Sequence, residues 1–189
     1  IKKIRRNSRI LVSIGACATE GGIQALRNWA DVEEFVKAVY ASPEYIKTLE
    51  KSTPISEHVK VDFELRGCPI NKYQLLELLS ALLNGRKPYI PNYSLCVECK
   101  RKGVVCVMVS RGIPCLGPIT QAGCGAICPS YGRGCYACFG PSESSNVKSL
   151  GDFLISALKL SKSDVVRVLK GFTGWGQAFR EAIKEYEGE

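Results

Sequence analysis

Ten cysteines, set against one histidine and one methionine in 189 residues, are the side chains of this sequence best equipped for chemistry. Eight of them fall between Cys96 and Cys138, in a stretch rich in glycine and proline. They read C-x2-C-x6-C-x8-C and then C-x3-C-x6-C-x2-C. The run divides into two sets of four: Cys96, Cys99, Cys106 and Cys115, then Cys124, Cys128, Cys135 and Cys138. With a single histidine available, any metal site must be essentially all thiolate, which selects zinc or iron-sulfur chemistry. Four thiolates complete one 4Fe-4S cluster, and equally one tetrahedral zinc.

Spacing separates these alternatives without closing either. Zinc ribbons pair two C-x2-C knuckles across one intervening span. Each half here holds only one C-x2-C, and its other two thiols are spread through irregular chain. Cys128 is also followed by Pro129, as ligands in iron-sulfur loops are. Iron-sulfur clusters are therefore favoured over zinc. Disulfides rank behind both, because nothing marks the chain as exported to an oxidising compartment.

The elements that position the thiols show in the hydrophobic pattern. "RILVSIG", Arg9 to Gly15, is a short, partly β-branched apolar run, the pattern of a buried parallel strand. A glycine-containing loop follows, and Asp31 caps a helix whose apolar face is Val32, Phe35, Val36, Val39 and Tyr40. "HVKVDFELRGC" alternates, with Val59, Val61, Phe63 and Leu65 on one side and Lys60, Asp62 and Glu64 on the other, which predicts a strand with one wet face near a sheet edge. Asn71 then caps a leucine-rich helix (Leu75, Leu76, Leu78, Leu79, Leu82, Leu83) that stops at Gly85. Strand, loop and helix, twice over, is the rhythm of an α/β layer. Cys17 and Cys68 lie just past the ends of the two strands, so both can reach one crevice at the carboxyl edge of the sheet.

From Pro88 the periodicity is lost, and a stretch this long needs something other than a hydrophobic core to fix it, such as bound metal. Helices return after Pro141: Val147 to Leu160, a second behind Ser161 or Ser163 through Leu169, and a last from about Trp175 to Glu187. The chain thus divides into an α/β domain over 1–87, a cysteine-rich domain over 88–142 and a helical segment over 143–189.

Several readings are excluded or set aside. The net charge of +8 is dispersed along the chain, whereas nucleic-acid binding needs clustered Lys and Arg, so a solvated surface or a protein partner is expected. No apolar run is long enough to span a bilayer, and the start has too short an apolar core for a signal peptide, so a soluble cytoplasmic protein is expected. The glycines of Gly15 to Gly22 lack the Lys-Ser/Thr of a phosphate loop and the dinucleotide spacing. Glu20 reads as an acid at a helix N-terminus, Arg66 as a candidate to offset cluster charge, and the lysines around Arg101 as surface. His58 reads as surface too, and Trp29 and Trp175 as packing.

Four segments then carry a resemblance: "GACATEGG" (Gly15 to Gly22), "GCP" (Gly67 to Pro69), "CLGPIT" (Cys115 to Thr120) and "CYAC" (Cys135 to Cys138). They resemble the small, electron-transferring subunit of nickel-iron hydrogenases. The first two are shared with the related 20-kDa subunit of respiratory complex I, and the later cysteines select the hydrogenase branch. Within that branch the chain is most similar to the cytoplasmic kind, the delta subunit of sulfhydrogenases and the small subunit of hydrogenases serving heterodisulfide reductase. Cys96 stands where exported hydrogenases carry a histidine, and Cys128 supplies a fourth thiol where they tend to hold a three-iron cluster.

The resemblance implies a partial flavodoxin-like parallel-sheet domain followed by the iron-sulfur domain. It implies a proximal cluster on Cys17 and Cys68, a medial one on Cys124, Cys128, Cys135 and Cys138, and a distal one on Cys96, Cys99, Cys106 and Cys115. The two further proximal ligands belong, in the family, to an N-terminal C-x2-C loop that this sequence begins beyond. Implied partners are a nickel-iron large subunit, where hydrogen chemistry takes place, and a flavin- or iron-sulfur-containing subunit. An electron carrier of another redox complex and a zinc-stabilised interaction module are the alternatives.

Overall fold

The computed structural model describes residues 1–188. Helix α1 (Lys2–Asn7) leads into strand β1 (Val12–Ile14), which pairs in parallel with β2 (Phe63–Leu65), Val12 opposite Phe63 and Ile14 opposite Leu65. Mixed helices around a parallel sheet give the α/β class expected. Both strands are shorter than the apolar pattern predicted. Asp62 turns back to accept from Leu11 N at 2.8 Å and from Arg5 at 2.5 Å. Pairing therefore starts at Phe63, and the residues from His58 to Asp62 stay outside the ladder. The expectation of a buried first strand is also corrected: only Ser13 is buried, while Ile10 and Ile14 are exposed, because a sheet of two strands covers little of either face.

Past β1 the chain forms helix α2 (Ala16–Glu20) and a 3-10 segment (Ile23–Trp29), where a loop was expected. Helix α3 (Val32–Val39) begins at Asp31, whose carboxylate accepts from the amides of Glu33 and Glu34. Its apolar stripe is not core: Phe35 is 60% and Val39 70% exposed. Helix α4 (Lys72–Leu83) is capped by Asn71 as the sequence predicts. Its leucines divide, however: Leu78 is buried with Ala81 and Gln74, whereas Leu76, Leu79 and Leu83 face outward.

The cysteine-rich stretch contains three short helices, α5 (Cys96–Arg101), α6 (Val107–Arg111) and α7 (Ile127–Ser130). None is long enough to print a helical period on the sequence, which is why the pattern there reads as loop. Helices α8 (Val147–Leu158), α9 (Lys162–Leu169) and α10 (Gln177–Glu187) complete the fold. Ser161 starts α9 with a capping box to Asp164. These three helices share one core with the cysteine-rich stretch: Leu150, Leu154, Val165, Leu169, Phe179 and Ile183 pack around Leu116, Ile119 and Ala137. Among the described residues no helix is long and apolar enough to cross a membrane.

Because Phe179 and Ile183 are fully buried in that core, Phe179→Ala should cost about 3–5 kcal/mol and Ile183→Val about 1 kcal/mol. Anaerobic chemical denaturation reads both. A change of a few tenths at Phe179 would mean the core is not closed as described.

Candidate metal centre

All ten cysteines are free thiols. Of the first set, Cys96 and Cys99 ride on α5, Cys106 precedes α6, and Cys115 precedes the 3-10 turn at Gly117–Ile119. A Cβ added at Gly117 would sit 3.4 Å from Cys115 Sγ and 3.7 Å from Cys96 Sγ, so this glycine keeps the space between two thiols open. Burial pushes the Cys96 thiol above its ordinary pKa, and the neighbouring Cys115 and Cys106 add to it. Cys99 is pushed up to about 11 by burial first, then by Cys96, Cys115 and Cys106. Cys96 and Cys99 both therefore lie in the field of Cys106 and Cys115.

In the second set, Cys138 is pushed up to about 11 by burial and then by Cys124, with Cys128 and Cys68 also acting on it; the Cys68 backbone amide, directed at its sulfur, opposes the shift. Burial raises Cys124, against the amides of Ile127 and Ala126. Cys135 is raised furthest by burial, opposed by the Ala137 amide, which donates to its sulfur at 3.4 Å, and by Thr120. Ala126 and Ala137 both hold left-handed backbone, φ 54° and 59°, a conformation costing about 1–3 kcal/mol at a non-glycine residue. In that conformation Ala137 donates its amide to Cys135 Sγ.

The two sets also touch directly. Cys135 N donates to Cys115 Sγ at 3.2 Å, and both residues are buried. The contact depends on Gly134, where a Cβ would lie 1.9 Å from the Pro114 carbonyl oxygen. Neither this contact nor the strained alanines can be read from spacing.

Cys17 and Cys68 follow the two strands, whose ends are joined by Gly15 N donating to Leu65 O (2.7 Å) and Ala16 N to Gly67 O (3.0 Å). Both thiols are exposed. Cys68 faces Cys138 and so borders the second set. The Cys17 sulfur packs on Gly22, where a Cβ would stand 2.7 Å away.

The donor chemistry suits clusters ligated by thiolates. Buried thiols whose charged form is penalised by desolvation are made tolerable as thiolates by bound cations and by amides aimed at sulfur. Among the described residues no three His, Cys, Asp or Glu side chains gather closely enough to hold a single ion.

The remaining candidates resolve simply. Glu20 stands at the C-terminal end of α2, which corrects its reading as an N-terminal acid. It is buried at the edge of a polar cleft of about 890 Å³, lined also by Glu57, Glu64, Arg66, Trp175 and Arg180. Arg66 is held by Glu20 at 3.2 Å, by Glu64 at 3.4 Å and by the Pro141 carbonyl at 2.6 Å. It fastens the sheet to the cysteine-rich stretch. His58 is exposed and bonds Thr53. Trp29 and Trp175 stack edge to face at 5.1 Å, under Lys170 and Arg180.

Glu20 generates a pH dependence. Burial lifts its carboxyl from 4.5 to about 7 although Arg66 opposes the shift. The folded protein thus binds more protons than the unfolded chain across that window, and stability falls as pH rises through it. Glu20→Gln removes the effect. Between pH 4.5 and pH 7.5 the wild type should lose up to about 3 kcal/mol relative to the variant in denaturant titrations. Parallel pH profiles would refute the assignment.

Comparison with known proteins follows the same residues. A family model described as "NADH ubiquinone oxidoreductase, 20 Kd subunit" matches residues 1–82. The delta subunit of sulfhydrogenase 2 of Pyrococcus furiosus is 35% identical, over 93% of this chain and 72% of its own length. The vhu G-type subunit of the F420-non-reducing hydrogenase of Methanocaldococcus jannaschii is 35% identical, over 77% of this chain and 60% of its own. A crystal structure of an NAD+-reducing [NiFe]-hydrogenase in the H2-reduced state matches 48% of this chain and 58% of its own at 36% identity, with a TM-score of 0.42. With more than a third of its residues shared over nearly its whole length with a sulfhydrogenase delta subunit, the chain belongs to the family of delta- and G-type hydrogenase subunits.

Proposed function

We propose that this chain is the electron-transfer small subunit of a cytoplasmic nickel-iron hydrogenase. Cys96, Cys99, Cys106 and Cys115 would hold one 4Fe-4S cluster, distal by family resemblance. Cys124, Cys128, Cys135 and Cys138 would hold a second, medial one. Cys17 and Cys68 would supply two ligands of a third, proximal to the large subunit. When bound, such clusters supply one-electron exchange at potentials set by charge, hydrogen bonds to sulfur and solvent exposure.

The chain's own residues would then hold, shield and connect these groups. Leu116, Ile119 and Ala137, packed under α8, α9 and α10, keep water from one side of both thiol sets. The amides of Ala126, Ile127 and Ala137 face thiol sulfurs and favour their charged form. Cys135 N, donating to Cys115 Sγ, joins a ligand of one set to a ligand of the other through a single hydrogen bond. That contact between two four-thiol sets is the observation that carries the reading, since a relay needs adjoining redox centres and a structural metal site does not. Hydrogen turnover itself would belong to the large subunit, and the partner on the other side would carry a flavin or further iron-sulfur clusters.

Metal and acid-labile sulfide analysis of the anaerobically purified protein, with its partners, tests this. About eight or more irons with matching sulfide are expected from two four-iron clusters, with nickel in the complex. About two zincs and no sulfide would overturn the proposal. Cys128→Ala should remove, or convert to a three-iron form, the cluster of the second set only; magnetic-resonance spectra identical to wild type in both redox states would contradict that ligand assignment.

A further inference from the structure

Glu98 lies inside the C-x2-C of the first thiol set but makes its contacts with the second. Its Oε2 accepts from Gly125 N at 2.8 Å and from Ala126 N at 3.2 Å, at the head of the loop that joins Cys124 to Cys128. Both residues hold left-handed backbone, φ 69° and 54°, and both amides donate to the same carboxylate oxygen. One turn further along α5, Lys102 Nζ stands 3.5 Å from where a Cβ of Gly125 would be, so the same helix face covers the loop twice.

The carboxylate thus bonds the chain between Cys124 and Cys128. Glu98 is therefore covalently part of one set and hydrogen-bonded into the other.

We propose that Glu98 is a positioning residue that lowers the potential of the redox group held by Cys124, Cys128, Cys135 and Cys138 relative to its neighbour. A negative charge beside the loop disfavours an added electron, and the two loop amides bonded to the carboxylate are not free to donate to sulfur. The inference rests on the iron-sulfur reading given under Proposed function.

Redox titration of the intact, iron-loaded protein, followed by magnetic resonance, tests it with Glu98→Gln, Glu98→Asp and Glu98→Ala. Glu98→Gln keeps an acceptor for the loop and removes the charge. Iron and sulfide should stay at wild-type level, and one signal should move to higher potential, the signal that Cys128→Ala abolishes or converts. Glu98→Asp keeps the charge and should titrate close to wild type. Glu98→Ala frees both amides and should lose iron from the second set faster under chelator challenge. Superimposable Glu98→Gln and wild-type titrations would overturn the proposal, as would a shift confined to the other signal. So would a Glu98→Asp shift as large as that of Glu98→Gln, which would make geometry rather than charge the cause. Zinc without sulfide in the wild type would instead end the iron-sulfur reading itself, so the two failures are distinguishable.

Discussion

The hydrogen bond from Cys135 N to Cys115 Sγ marks the constraint on which the rest of this molecule depends: eight thiols, all but Cys106 at least half-buried, must be brought together by chain with little regular structure. Burial there opposes the thiolate form, most strongly at Cys135. The backbone answers with donors, and the donors dictate the conformation. Ala126 and Ala137 accept left-handed backbone that alanine disfavours, and Gly134 gives up its side chain so that two segments can touch. Within the cysteine-rich stretch both left-handed alanines lie within two residues of a cysteine, whereas the third such residue, Lys159, ends a helix.

A loop-rich stretch of this kind cannot stabilise itself, and the fold provides support from outside it. The helices α8, α9 and α10 bury Leu154, Val165, Phe179 and Ile183 against Leu116, Ile119 and Ala137, residues interleaved with the cysteines in sequence. On the opposite side, Arg66 links β2 to Pro141 and to Glu20 of α2, and Asn71, the cap of α4, donates to the Gly123 carbonyl at 2.5 Å. The cap serves two purposes at once: its oxygen starts the helix, and its nitrogen fixes the residue before Cys124. Secondary structure on both sides thus ends at the thiol-bearing chain.

What the sequence makes legible follows from the length over which each signal acts. Asp31, Asn71 and Ser161 are legible as caps because capping is a local, side-chain-to-amide event. The three C-terminal helices show because they run long enough to express a period. The strands read longer than they are because alternation marks a preference for pleated chain, whereas the ladder is limited by its partner, which pairs only over Val12–Ile14. Exposure of Phe35, Val39, Leu76, Leu79 and Leu83 could not be read either, since an apolar stripe states that a face can be covered and is silent on what covers it. For the thiols, spacing gives an order along the chain. It does not give Cys68 against Cys138, the meeting of Cys115 with Cys135, or the reach of Glu98 across to Gly125, because each joins segments distant in sequence through backbone atoms that every residue carries.

The same reasoning separates the two ends of the molecule. Between Cys96 and Cys138 two thiols are buried, five are half-buried and only Cys106 is exposed, with amides opposing part of the cost of burial at Cys124, Cys135 and Cys138. Cys17 and Cys68 are exposed, at the rim of a two-strand sheet whose Ile10 and Ile14 are also exposed. A group held at Cys17 and Cys68 would take its remaining ligands and its shielding from whatever closes over that rim. Its redox properties would then depend on how that surface is covered, while those of groups held by the other two sets would depend on the amides and charges that this chain itself supplies.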